Sequence, residues 1–281
     1  YYDRFWAPCK GSSEHKKNFE KKRPELFAKG YEKEDPPPQM CYSSRELVEQ
    51  VASDAKEYFD NGGYQYPVCG IVPGLQWGSD YFAVEPMDNG SFCKCENCRK
   101  WLGADNPAAD APHQYGKFSS YKFNFVNEVA KLVAETNPGK KIITLAYGST
   151  MACPKGVKLE PNVVLDFCFD ANRLVYDRSP YQYEAGCLRD WVENYPGREF
   201  QLWLYDTFPN EIANNGKWHA FPGYFAHAAG EQFRLFKELG IKGIFHCGYG
   251  QEVEAYVTFK LMDNPDLGVD LLLDEYFGGV Y

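Results

Sequence analysis

Short apolar runs alternate with amphipathic helical stretches along most of the chain, and this alternation limits the possible folds more than any other feature. Strand-like runs lie at residues 66–73, 81–84, 141–147, 162–169, 199–205 and 241–247. Apolar side chains at helical spacing fill residues 45–60, 121–136, 183–194 and 224–239. Strands that alternate with helices in this way predict βαβ units around a parallel sheet. We therefore predict an α/β fold.

The predicted strand ends carry carboxylates, aromatic side chains and one histidine. In parallel α/β folds the functional groups lie at the carboxyl ends of the strands. Aromatic residues make up 17% of the chain, and their apolar faces stack on sugar rings. The sequence thus predicts a sugar-binding cleft, with substrate-binding candidates Tyr147, Asp170, Asn172, Trp203, Tyr205, Asp206, His246 and Tyr249.

Two carboxylates, Glu85 and Asp88, lie three residues apart around the turn that Pro86 and Asn89-Gly90 predict. Cleavage of a glycosidic bond requires an acid that protonates the leaving oxygen and a second group that meets the positive charge developing at the anomeric carbon. We predict Glu85 as the general acid/base and Asp88 as a supporting residue that orients the substrate or tunes Glu85. Residues 86–118 are predicted as a long, cysteine-bearing active-site loop.

The same loop contains a C-x-C-x-x-C pattern formed by Cys93, Cys95 and Cys98. Three thiols within six residues indicate a disulfide within or out of the loop or a structural zinc site, and free thiols are the remaining alternative. Zinc normally requires a fourth ligand, for which Cys41, Cys69 and His113 are the candidates. A catalytic zinc is not expected, because no HExxH motif or equivalent histidine cluster occurs. No other cofactor is predicted.

Several functional classes are disfavoured by the sequence. The net charge of −9 argues against a nucleic-acid partner, because binding to phosphate backbones depends on clustered Lys and Arg. No run of 18 or more apolar residues predicts a membrane span. The Gly-rich phosphate loops GxGxxG and GxxxxGK[ST] and the GxSxG nucleophile elbow are also missing from the sequence.

Domain organisation and location are expectations drawn from the same features. Residues 1–35 form a polar entry segment, and residues 1–281 are expected to form one catalytic domain cut from a longer protein, whose other domains would be its partners. Because polymeric glycans are met outside the cytoplasm, we expect an extracellular or periplasmic location, reached through a leader that this chain does not include.

The chain resembles the domain of unknown function 4838, which includes the catalytic domain of glycoside hydrolase family 163. The resemblance is most specific in VEPMDNG with CxCxxC, and it touches most of the chain from about residue 23 onward. Further matching stretches are RPELFA with QMC, VNEVAKLVAETNPGKKIITLAYGST with PKGVKLEPNVV, LWLYDTFP, and VTFKLMDNPDLGVDLLLDEYF.

This resemblance implies a (β/α)8 TIM-type barrel and endo-acting β-N-acetylglucosaminidase activity on complex N-glycans. It also implies a retaining mechanism in which the 2-acetamido group of the substrate is the nucleophile, so that one acid and one orienting carboxylate suffice. With about six predicted strands, the first part of the barrel is expected to be missing from this chain. An α-glucuronidase-like or other glycosidase, and a non-catalytic carbohydrate-binding domain, are the alternatives.

Overall fold

The computed structural model describes residues 5–6, 21–62, 80–102, 116–169, 178–205, 225–247 and 252–280. Its helices and strands are α1 (Arg45–Asp60), β1 (Tyr81–Ala83), α2 (Glu96–Leu102), α3 (Ser119–Thr136), β2 (Lys141–Ala146), β3 (Val163–Phe169), α4 (Arg178–Asn194), β4 (Phe200–Tyr205), α5 (Ala226–Glu238), β5 (Gly243–Cys247), α6 (Glu252–Asp263) and α7 (Val269–Val280).

The described strands form one five-stranded sheet in the order β1-β2-β3-β4-β5. The β1–β2, β3–β4 and β4–β5 pairs are parallel. The predicted α/β class with a parallel sheet is therefore confirmed. The predicted strand at 66–73 lies outside the described residues, and the segment predicted as a loop over 86–118 contains helix α2.

The chain divides into two compact units. The first comprises Tyr1–Ala109, Gln114–Thr144 and Pro154–Val164, and the second comprises Asp110–His113, Leu145–Cys153 and Leu165–Tyr281.

Helices α1 and α3 pack together in the first unit. Helix α1 begins where the Ser44 side chain accepts a hydrogen bond from Leu47 N at 3.3 Å, which satisfies one of the unpaired amides of the first turn. Its apolar face ends in Tyr58 and Phe59, whose rings contact Phe82 of β1 at 5.5 and 6.3 Å between centroids. The predicted cap and helical periodicity of this region are confirmed.

All seven residues of β3 are buried, including Asp166, and those from Leu165 onward belong to the second unit. Phe169 at its end contacts Tyr181 of α4 and Phe236 of α5, with ring centroids 5.4 and 5.5 Å apart. Helix α5 approaches α7 closely at Gly230, where an added Cβ would lie 2.4 Å from Val269 Cγ2. A glycine at this position lets the two helices touch.

None of the helices in the described part of the chain is both long and apolar enough to cross a membrane.

Candidate active-site loop and thiol cluster

Glu85 leaves the sheet from a fixed point at the carboxyl end of β1. The preceding residue, Val84, donates its amide to Ile143 O at 3.0 Å and accepts a hydrogen bond from Thr144 Oγ1 at 2.8 Å. Both main-chain polar groups of Val84 are therefore held by β2. The backbone that carries Glu85 cannot shift without breaking buried hydrogen bonds.

A buried lysine holds the carboxylate of Glu85. Lys122 Nζ on α3 lies 3.0 Å from Glu85 Oε2, and the two side chains are 2% and 28% exposed. Burial of an ammonium is costly unless a counter-charge accompanies it, so the pair fixes both groups. The lysine is closed off from solvent while the carboxylate stays open to it.

The loop after Glu85 is held by Gln39, whose side chain is fully buried. Gln39 Nε2 donates to Met87 O at 2.6 Å and to Asn89 O at 3.1 Å, and Gln39 Oε1 accepts from Met87 N at 3.3 Å. Tyr42 donates its hydroxyl to the same Oε1 at 2.8 Å. Asp88 lies between the two residues that Gln39 holds, and its side chain is exposed. The backbone on both sides of this candidate carboxylate is therefore fixed.

Four cysteines come together behind this loop. The Sγ atoms of Cys41, Cys93, Cys95 and Cys98 lie within 4.8 Å of one another. Cys41 Sγ is 3.8 Å from both Cys95 Sγ and Cys98 Sγ. No disulfide joins any of the eight cysteines that the structure describes. Of the three candidates for the fourth ligand, Cys41 lies in the cluster, whereas Cys69 and His113 lie outside the described residues.

Several polar hydrogens point at these sulfur atoms. Lys29 N donates to Cys93 Sγ at 3.2 Å, and Cys98 N donates to Cys95 Sγ at 3.4 Å. The Tyr121 hydroxyl donates to Cys98 Sγ at 3.4 Å, and Ser43 Oγ lies 3.0 Å from the same sulfur. Such donors stabilise negative charge on sulfur.

The sulfur atoms perturb one another's ionisation. Hydrogen bonds from the Cys41 and Cys93 thiols lower the pKa of Cys98 well below its ordinary value. Hydrogen bonds with the Cys93 and Cys98 thiols raise the pKa of Cys41. Burial, followed by the charge on Cys98, raises the pKa of Tyr121, which therefore remains a hydroxyl donor. The cluster thus favours a thiolate at Cys98 and a protonated phenol beside it.

In the second unit, Trp203 and Tyr205 share one face of β4. They are two residues apart on the strand, and their ring centroids are 6.4 Å apart. Phe245 of β5 lies beside Trp203 with 4.3 Å between ring centroids. Trp203 Nε1 is buried and has no hydrogen-bond acceptor within the described part of the chain. The predicted aromatic candidates thus form a ring surface with an indole N–H among them.

His246 does not share that face. In the parallel register it pairs with Leu204, whereas Trp203 pairs with Phe245. Paired residues point to the same side of a sheet and successive residues alternate, so His246 faces away from Trp203. Its ring lies 6.2 Å from that of Phe259 on α6. The structure therefore does not group His246 with the aromatic candidates as the sequence predicted.

The other predicted residues are placed as follows. Tyr147 directly follows β2 and is 43% exposed. The remaining four candidates lie outside the described residues, namely Asp170, Asn172, Asp206 and Tyr249.

Comparison with known proteins identifies the family. The family model described as Domain of unknown function (DUF4838) matches residues 12–281. The chain belongs to this family. The match includes the loop that carries Glu85, the four clustered cysteines and the β4 aromatics, so all three features lie within the DUF4838 domain. No curated protein and no solved structure matches the chain.

Two residues of this DUF4838 chain that contact the candidate loop were not predicted from the sequence, namely Lys122 and Gln39. Each carries a recognisable signal. Lys122 lies three and four positions before Phe125 and Val126, which are both buried, and a lysine inside an apolar helix face predicts a buried counter-charge. Gln39 precedes the short buried run Met40-Cys41, where an amide side chain must find hydrogen-bond partners.

Proposed function

We propose that the chain is the catalytic part of a glycoside hydrolase that cleaves β-linked N-acetylglucosamine in glycans. The observation that carries this proposal is the Glu85–Lys122 pair. A catalytic carboxylate must reach substrate, and Glu85 stays 28% exposed although its partner lysine is buried. Here the buried lysine fixes a solvent-facing carboxylate at the carboxyl end of a parallel strand.

The proposed reaction is retaining and substrate-assisted. Glu85 protonates the glycosidic oxygen as the bond to the anomeric carbon breaks, and the carbonyl oxygen of the substrate's 2-acetamido group bonds to that carbon. Asp88 orients the acetamido N–H. Glu85, now ionised, then takes a proton from the water that opens the cyclic intermediate, which restores both the acid and the retained configuration.

The family resemblance and the described sheet support a finer proposal for the fold. Five parallel strands in sequential order are compatible with part of a (β/α)8 barrel. We propose an endo-acting enzyme on complex N-glycans, located outside the cytoplasm where such glycans are met.

The aromatic face of β4 and β5 favours a second candidate, a non-catalytic carbohydrate-binding domain. Trp203, Tyr205 and Phe245 offer the apolar surface on which sugar C–H faces stack. In this reading the carboxylate of Glu85 would have no chemical role.

Mass spectrometry of glycans released from a complex-type glycoprotein distinguishes the two candidates. The protein containing this chain is compared with its Glu85→Gln variant and with Glu49→Gln, which removes an exposed carboxylate of α1. Release that leaves one N-acetylglucosamine on the glycoprotein, persists in Glu49→Gln and is lost in Glu85→Gln supports the hydrolase. Release that persists in Glu85→Gln refutes the role of Glu85. Glycan binding without release, lost on Trp203→Ala, favours the binding domain.

A further inference from the structure

We propose that Cys41, Cys93, Cys95 and Cys98 form a structural zinc site. The site lies entirely within the first unit, between the segment that carries Gln39 and the loop that carries Glu85. It is a separate site from the proposed catalytic carboxylates, and it needs no substrate.

The sulfur positions match a tetrahedral metal site. Zinc–thiolate bonds of about 2.3 Å in a regular tetrahedron place the sulfur atoms about 3.8 Å apart. Cys41 Sγ lies 3.8 Å from both Cys95 Sγ and Cys98 Sγ, and all four sulfur atoms lie within 4.8 Å of one another. A disulfide would instead require about 2.05 Å between two of them. The spacing is that of ligands around a common centre.

The four cysteine ligands indicate a structural role for the site and favour zinc as the ion. Cys93 and Cys98 are fully buried, Cys41 is 6% exposed, and Cys95 is partly exposed. Four protein ligands leave no coordination position for water or substrate, which is typical of structural zinc. Soft thiolates in a tetrahedral arrangement suit zinc, which has no geometric preference of its own and no redox chemistry.

The surroundings stabilise the charge of such a site. Four thiolates and one Zn²⁺ carry a net charge of −2, which burial makes costly unless polar hydrogens face the sulfur atoms. The amides of Lys29 and Cys98 donate to Cys93 Sγ and Cys95 Sγ. The hydroxyl of Tyr121 donates to Cys98 Sγ, and Ser43 Oγ lies within hydrogen-bond distance of it. Three of the four sulfur atoms thus have a hydrogen-bond partner other than a thiol among these contacts.

The site joins the parts of the first unit that hold the candidate acid. Cys41 lies two residues after Gln39, which fixes the backbone on either side of Asp88. Tyr121 contacts Cys98, and the next residue, Lys122, contacts Glu85. Zinc would therefore position the Glu85 loop from two directions. This positioning role rests on the proposed function, whereas the metal site itself does not.

The first test is the metal content of the purified protein. The wild type, Cys41→Ala and the control Cys187→Ala are compared by elemental mass spectrometry. Cys187 is the matched control because it is a buried thiol of the second unit with the same 6% exposure as Cys41. We expect one zinc per chain in the wild type and in Cys187→Ala, and loss of most of it in Cys41→Ala.

A second test uses the wild type alone, in case Cys41→Ala fails to fold. Titration with an organomercurial should release one zinc per chain when the four clustered thiols react. Replacement of zinc by Co²⁺ should give the intense charge-transfer and visible bands of a tetrahedral tetrathiolate site. Folded protein with four thiols and no metal, iron in place of zinc, a disulfide among the four cysteines, or equal zinc in Cys41→Ala would each overturn the proposal. None of these measurements uses glycosidase activity, so its absence would leave the zinc result unaffected.

Discussion

Replacement of Glu85 by glutamine should destabilise the protein far more than replacement of an ordinary surface glutamate. The substitution leaves the Lys122 ammonium, 2% exposed, without the carboxylate 3.0 Å away. Coulomb attraction at that distance is about 5.5 kcal/mol for an effective dielectric constant of about 20. Removal of one partner of a buried pair costs about 3–5 kcal/mol. Because water already reaches the carboxylate, we expect about 3 kcal/mol, near the lower end.

Removal of the lysine instead of the glutamate should destabilise the protein less. Lys122→Met removes the buried charge and leaves a carboxylate that is 28% exposed and can be hydrated. We expect a loss of about 1 kcal/mol, since an apolar side chain of similar length is well tolerated in place of a buried ion. In the Lys122→Met background, Glu85→Gln should then cost under about 1 kcal/mol, because the buried ammonium that the carboxylate attracts is no longer present.

Urea denaturation followed by circular dichroism, together with melting temperatures, measures these differences. A loss of about 3 kcal/mol corresponds to a decrease of about 6–12 °C in Tm at this chain length. Glu49→Gln is the control, because the Arg45–Glu49 pair is 57% exposed on both sides and should contribute under about 1 kcal/mol. Equal losses for Glu85→Gln and Glu49→Gln, or an equal cost of Glu85→Gln in both backgrounds, would refute the reasoning.

Two further predictions concern the loop and the helix contacts. Gln39→Leu should leave two loop carbonyls without their donor, cost about 1–3 kcal/mol, and speed amide hydrogen exchange in that loop. Unchanged exchange would contradict the role of Gln39 in holding the loop. Gly230→Ala should destabilise the chain by about 1–3 kcal/mol in thermal unfolding, because its Cβ meets α7. Gly186→Ala on α4, where an added Cβ would meet no atom within 4 Å, should stabilise the chain by about 0.5–1 kcal/mol. The same sign for both substitutions would refute the close approach of α5 and α7.

The regular elements were predictable because their signals are local. Apolar side chains at helical spacing mark α1, and a short, mostly apolar run that ends at Phe169 marks β3. The boundaries of α3 and β2 differ from the prediction by two residues and one residue, respectively. Short-range spacing and turn residues carry this information without knowledge of the tertiary fold.

The candidate site was predictable only in part, because its contacts are distant in sequence. The C-x-C-x-x-C pattern identified three thiols, but it could not choose Cys41, which is 57 positions from Cys98. The face on which His246 lies depends on its pairing with Leu204, and a strand pattern alone does not state which face is which. The helix pattern alone does not identify the counter-charge of Lys122, because Glu85 is 37 positions away in the sequence.

The long sequence separation within the thiol cluster also orders events during folding. Helix α1 lies between Cys41 and the other three cysteines, so the four sulfur atoms meet only after a large chain segment has closed. Metal capture at the proposed site would then be a late step of maturation rather than its nucleus. Until that step the thiols of a newly made chain are open to oxidation. An oxidising environment should therefore damage the folding chain far more than the finished protein, and zinc supplied at the end of refolding should rescue only chains whose thiols were kept reduced.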